Sequence, residues 1–225
     1  MRWIEAKGAI TDFPTLVFEN IVKKLIEKWK DFFLDSNGKI IECKRDKTTK
    51  LFELLTELGD QEGYRVYSHS LSESFLKEHK KKHFVNWEWL FDLCWYQEEE
   101  GGYLLKSIVL AVESEWTKRR YISKEEKNRG CTDTKDKYGA IKYDFQKLLL
   151  PNTGMCLMVF EANEEDRKEL SNYFEKACSI YDGNIPKILF IAFSKQDNTF
   201  FYSYITKKTK NISNHSFSLD KLLFL

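Results

Sequence analysis

The chain has 225 residues, 42% of them hydrophobic and 15% aromatic, which is too apolar for intrinsic disorder and long enough to bury a sizeable core. At about 150 residues per domain, that length fits one compact domain with an appended part. Thirty-six Lys and Arg against thirty-five Asp and Glu leave a net charge of +1, which excludes a histone-like polybasic protein but allows a local basic patch.

Residues 15–33 place Leu16, Val17, Ile21, Leu25, Ile26, Trp29 and Phe33 at helical spacing. Asp12 is positioned to cap that helix, Pro14 falls in its first turn, and Asp35-Ser36-Asn37-Gly38 ends it. Residues 39–47 alternate charged and apolar character and predict a short strand or connector. A second helix is expected over 48–58, on Leu51, Phe52, Leu54, Leu55 and Leu58, and a strand over 64–69. Residues 70–83 are polar and basic, with Lys77, His79, Lys80, Lys81, Lys82 and His83 close together.

Residues 84–97, dense in aromatics, predict one extended strand. Gly101-Gly102 fits a hairpin turn, and 104–116 forms the next strand. The charged stretch 117–137 is a surface excursion. A short amphipathic helix over 141–150 stops at Pro151, and a strand follows over 155–161. A helix from Asn163 or Glu164 to about Ile180 and strands over 188–194 and 200–205 complete the order. Residues 1–47 form an N-terminal helical extension in this reading, and 48–225 an α/β domain.

The first five residues carry no apolar run of the secretory kind. The longest apolar runs, 155–160 and 188–193, are six residues each, far short of the roughly 20 that span a bilayer. Cys43, Cys94, Cys131, Cys156 and Cys178 are widely spaced, without a CxxC pair, and signal neither a zinc knuckle nor a disulfide framework. His69, His79, His83 and His215 show no metal-ligand spacing. The expectation is a cytoplasmic protein with reduced thiols and no membrane contact; its oligomeric state is open, with a homodimer among the options.

Side chains two apart on a strand share a face. One face of 84–97 then carries Trp87, Trp89, Phe91, Leu93 and Trp95, and the other Glu88, Leu90, Asp92 and Cys94. From Ile108 the next strand is apolar on both faces up to Val112, as in a sheet centre. Glu113 and Glu115 then appear on one face. Buried alone, each carboxylate would be neutralised or would cost several kcal/mol. A divalent cation removes that penalty, and oxygen ligands suit Mg²⁺.

Asp92, the Glu113-Ser114-Glu115 pair ending a hydrophobic strand, and the helix and strand that follow resemble the PD-(D/E)xK nuclease superfamily, over about half of the chain (48–161). The resemblance implies a restriction-endonuclease-like core of helix, three strands, helix and strand, in a mixed β-sheet flanked by helices, α/β (α+β) in class. It implies hydrolysis of nucleic-acid phosphodiesters, DNA foremost, with Mg²⁺ or Mn²⁺. Asp92 and Glu113 would hold the metal, with Glu88 completing the acidic ring. Glu115 stands where the superfamily usually has lysine, and would orient or deprotonate the attacking water. Lys147, on the following helix, would supply the positive charge of that lysine. Phe91 stands where a proline is usual. Lys77, Lys80, Lys81, Lys82, Arg119 and Arg120 would grip phosphate.

Other readings of the same residues stand beside this one. Glu113 and Glu115 pair with Lys118, Arg119 or Arg120 as surface acids; the aromatic face is core packing. At the level of function, the alternatives are a nuclease-like module that has lost catalysis and binds or regulates, and a protein whose 15–33 helix docks on a partner chain.

Overall fold

A computed structural model describes residues 1, 3–5, 13–34, 41–79, 83–86, 89–100, 104–120, 124–129 and 136–206. The expectations for Asp12, Asp35 to Gly38, Trp87, Gly101, Gly102, Cys131 and His215 lie outside these residues.

In chain order the elements are β1 (Ile4–Glu5), α1 (Leu16–Phe33), α2 (Lys44–Gln61), β2 (Arg65–Ser68), α3 (Glu73–Glu78), β3 (Phe84–Asn86), β4 (Leu93–Glu98), β5 (Leu105–Glu115), α4 (Lys124–Asn128), α5 (Gly139–Lys147), β6 (Met155–Glu161), α6 (Glu164–Ile180), β7 (Lys187–Ser194) and β8 (Thr199–Ile205). They build an α/β molecule around one mixed sheet of order β1-β8-β7-β6-β5-β4-β2-β3. β4 lies between β2 and β5 and runs antiparallel to both. β5, β6 and β7 are parallel and are joined through α5 and α6, as parallel neighbours require a crossover.

Period-two alternation sorts each central strand between two apolar layers. Leu110, Val112, Leu157 and Val159 face a core shared with Phe18, Ile21 and Val22 of α1 and Leu51, Phe52 and Leu55 of α2. Ala111, Cys156, Met158 and Phe160 face the opposite core, with Ile141 and Phe145 of α5 and Leu170 and Phe174 of α6. Phe174 is the hub of that second core, its ring centroid 4.6 Å from both Phe145 and Phe190. Among the described residues no helix is long and apolar enough to cross a membrane.

The expected strand over 84–97 is two strands. β3 pairs parallel to β2 and β4 antiparallel to it, so they flank β2 on opposite sides. The aromatic residues therefore do not share one face: Phe91 packs with Cys94 in the α5–α6 core, whereas Leu93 and Trp95 lie in the α1–α2 core. Trp89 is largely exposed and leans on Tyr67. Val85, Trp89 and Leu90 are apolar yet exposed, unlike a simple core face, so aromatic density alone does not mark where a strand ends. Lys44 to Lys47 form the first turn of α2 rather than a connector, and the polar stretches 70–83 and 117–137 contain α3 and α4. Ser72 caps α3 by accepting from the Phe75 amide.

Gly59 lies inside α2, where glycine weakens a helix. Trp95 is the reason: a Cβ at position 59 would stand 2.7 Å from the indole Nε1 and 2.9 Å from two ring carbons. That indole is fully buried and donates to the Leu55 carbonyl at 3.0 Å. Gly59→Ala should therefore destabilise the fold by about 1–3 kcal/mol of overpacking, despite alanine's better helix propensity. Combined with Trp95→Phe, which removes the pyrrole ring, it should cost less than the sum of the single losses in denaturant melts. A Gly59→Ala protein as stable as the parent would show that the helix gives way freely.

Candidate active site

Register brings the site together. Leu93 of β4 pairs with Val112 of β5, so Asp92, one residue before β4, arrives beside the end of β5. Its Oδ2 accepts the Ser114 amide at 2.8 Å. Its backbone carbonyl accepts the His69 amide at 3.1 Å, one residue past the end of β2. The His69 Nε2 lies 3.3 Å from Asp92 Oδ1, and its Nδ1 is 2.8 Å from the Ser70 hydroxyl. Ser70 sits in the left-handed region, at φ 62°, an uncommon conformation for a residue with a Cβ.

Glu113 points into the α5–α6 side of the sheet and has no solvent exposure. Lys147, in the last turn of α5, reaches it with Nζ 2.7 Å from Oε2 and also lies 3.4 Å from Asp144 Oδ1. The other carboxylate oxygen, Oε1, is buried with no hydrogen-bond partner. Burial, reinforced by the Asp92 charge, pushes the Glu113 carboxyl up to about 9 against the pull of Lys147. Burial lowers the Lys147 ammonium, but Glu113 and then Asp144 and Asp92 outweigh it and hold it above its ordinary range. Asp144 is pushed up to about 6, by burial first, with Asp92 and Glu115 adding to it.

Lys147 pairs with Glu113, and the Asp92 charge acts on both; Asp92 belongs to a loop–strand junction and not to an aromatic strand. Glu115 shares the face of Glu113, but its Oε1 accepts the Thr117 amide, and burial raises its carboxyl. Arg119 and Arg120 lie just beyond, the Arg120 guanidinium 4.1 Å from the centre of the Tyr143 ring. Lys77 is exposed on α3 beside Glu73. Glu88, Lys80, Lys81 and Lys82 lie outside the described residues. Lys118 pairs with Asp166, and not with Glu113 or Glu115.

His69 and Asp144 were not legible as site residues. Asp144 stands three positions before Lys147, a spacing that puts both on one helix face, and this was the available signal. His69 joins only because β2 and β4 are neighbours. Among the described residues no three His, Cys, Asp or Glu side chains are grouped to hold a metal ion. No family model, curated protein or solved structure matches the chain.

A carboxyl whose folded pKa is raised contributes most at low pH, and that contribution fades as pH climbs from its unfolded value to the folded one. For Glu113 the window runs from 4.5 to about 9, and for Asp144 from 3.8 to about 6. The melting temperature of the metal-free protein should fall across pH 5–9. Glu113→Gln, which keeps shape and an oxygen for Lys147, should flatten that fall and melt higher than the parent at pH 8. Parallel curves for the two proteins would place the proton elsewhere.

Proposed function

We propose that the chain is a divalent-metal-dependent nuclease of the PD-(D/E)xK kind, hydrolysing nucleic-acid phosphodiesters. The observation that carries this reading is the meeting of Asp92, Glu113 and Lys147, with the buried Glu113 Oε1 left without a hydrogen-bond partner. A buried polar atom with no partner calls for an explanation, and a bound cation is a standard one. With α3, β3 and α4 set aside as insertions, the order α2, β2, β4, β5, α5, β6 supports it as well: a helix, three strands with β4 antiparallel to the other two, a helix and a strand parallel to β5, the order that the superfamily core implies.

Asp92 and Glu113 fit a hard cation, since Mg²⁺ is commonly held by one or two carboxylates and completed by water and substrate phosphate. Mg²⁺ or Mn²⁺ there supplies polarisation of the phosphate and a more acidic bound water. In the hydrolysis the water oxygen bonds to phosphorus, the ester P–O bond breaks, and the departing oxygen takes up a proton. Lys147 holds positive charge where the phosphate gathers negative charge, the task of the lysine that Glu115 replaces. His69 fixes one oxygen of Asp92 and the Ser114 amide the other, so the metal-facing carboxylate is oriented before substrate arrives.

Labelled single-stranded, duplex and branched DNA and RNA, incubated with Mg²⁺ or Mn²⁺, test the reading. Asp92→Asn and Lys147→Ala should each lower cleavage on the order of a hundredfold or more. Mn²⁺ should raise the melting temperature of the parent and leave Asp92→Asn unmoved, as linkage to a native-state ligand requires. Glu115→Lys should retain cleavage, because Lys147 already provides the cation. Binding without cleavage in every condition would favour the catalytically silent module, for which Glu115 in the lysine position is the supporting feature. A protein that neither cuts nor responds to metal would leave Glu113–Lys147 as a structural ion pair.

A further inference from the structure

We propose that the cavity beside Glu115 seats one unpaired nucleotide next to the bond to be cut, which makes single-stranded nucleic acid the substrate class. The inference rests on the nuclease reading for the reaction, and on the cavity alone for the class. The cavity is an open cleft of about 370 Å³ between the start of the 117–137 excursion and α5, with Glu115, Thr117, Arg119 and Arg120 on one side and Tyr143 and Asp144 on the other. That volume lies near the lower end of the roughly 300–1,000 Å³ of small-ligand sites, enough for one nucleotide.

The lining chemistry matches the parts of a nucleotide. Tyr143 is about half exposed, with a relative accessibility of 48%, and the Arg120 guanidinium stands 4.1 Å from its ring centre. An aromatic ring and an arginine plane together form a platform on which a base stacks, whatever its identity. Arg119 offers the cation for a flanking phosphate. The Asp144 and Glu115 carboxyl groups offer polar contacts at the base edge. A base inside a duplex has both faces covered by its neighbours, so only an unpaired base can use such a platform.

Both walls are held in place before any ligand arrives. Lys118, next to Arg119, pairs with the buried Asp166, and its carbonyl accepts the Ala140 amide at 3.1 Å, tying the excursion to α5. On α5, Phe145 packs in the buried aromatic cluster two residues from Tyr143. The Thr117 hydroxyl receives the Lys44 ammonium at 3.1 Å, which fixes the remaining wall. Pre-set walls lower the ordering cost of seating a flexible strand.

The test uses the whole chain with a fluorescein-labelled single-stranded DNA oligonucleotide carrying one 2-aminopurine, and the matching blunt duplex. Binding is read first without divalent ions, by anisotropy and by 2-aminopurine quenching, and cleavage afterwards with Mn²⁺. The parent should bind the single strand at least tenfold more tightly than the duplex and cut it faster. Tyr143→Ala should weaken single-strand binding roughly tenfold and abolish the quenching, while Tyr143→Phe keeps both. Tyr143 is outside the buried core, so neither change threatens the fold. Equal affinity for strand and duplex, or binding indifferent to Tyr143→Ala, overturns the inference even where cleavage upholds the nuclease reading. Tyr143-dependent single-strand binding without cleavage upholds the seat and counts against the nuclease reading.

Discussion

A carboxylate sealed inside a sheet is the constraint on which the rest of this molecule turns. Glu113 occupies β5, the strand between the antiparallel and the parallel parts of the sheet, and water does not reach it. Removing such a group from water costs several kcal/mol unless charge or hydrogen bonds replace the lost solvation. Here the replacement is partial: Lys147 comes from α5, and Asp92 adds a second negative charge from the neighbouring strand end. A fold selected only for stability would have put valine or leucine at this position.

Asp166 supplies the contrast within the same chain. It is as buried as Glu113, yet Lys118, Lys137, the Tyr138 hydroxyl and the Asn163 amide all engage it. Burial by itself would raise that carboxyl, but those partners outweigh it and hold it below the usual range. Asp166 also completes the capping box of α6. Lys47 is buried too, and is served by Glu161 at 3.1 Å and by the Trp116 ring at 4.8 Å. Asp166 and Lys47 are both supplied with partners. Glu113, with one oxygen bare, is not.

Sequence reading succeeded where one physical rule governs a segment. The strand at 155–161 and the helix at 164–180 are bounded by a capping residue, Asn163, and by a change from continuous apolar character to helical spacing. It failed over 84–97, where the exposed Val85, Trp89 and Leu90 are as apolar as the buried residues 93–96 and so hide the break between two strands. The candidate carboxylates were legible because acids ending an oily strand are anomalous in themselves. His69 was not, since its relation to Asp92 depends on β2 and β4 being neighbours, a non-local fact carried by no spacing along the chain. β1 has only two residues and pairs with β8 at the other end of the chain, so no local pattern could announce it.

The placement of the cation has a consequence for how the site is stabilised. A lysine on β5, two residues from Glu113, would be fixed by the sheet ladder that fixes the acid. Lys147 is instead positioned by the docking of α5, and α5 is seated by Phe145, packed against Phe174 and Phe190 of two further elements. The distance from Lys147 to Glu113 is therefore set by aromatic packing on the far side of the helix as much as by the attraction between the charges. Close packing transmits such displacements, because the cluster has no slack to absorb them. Lys147, Tyr143 and Asp144 all sit on α5, so the ion pair and the cavity wall share one support.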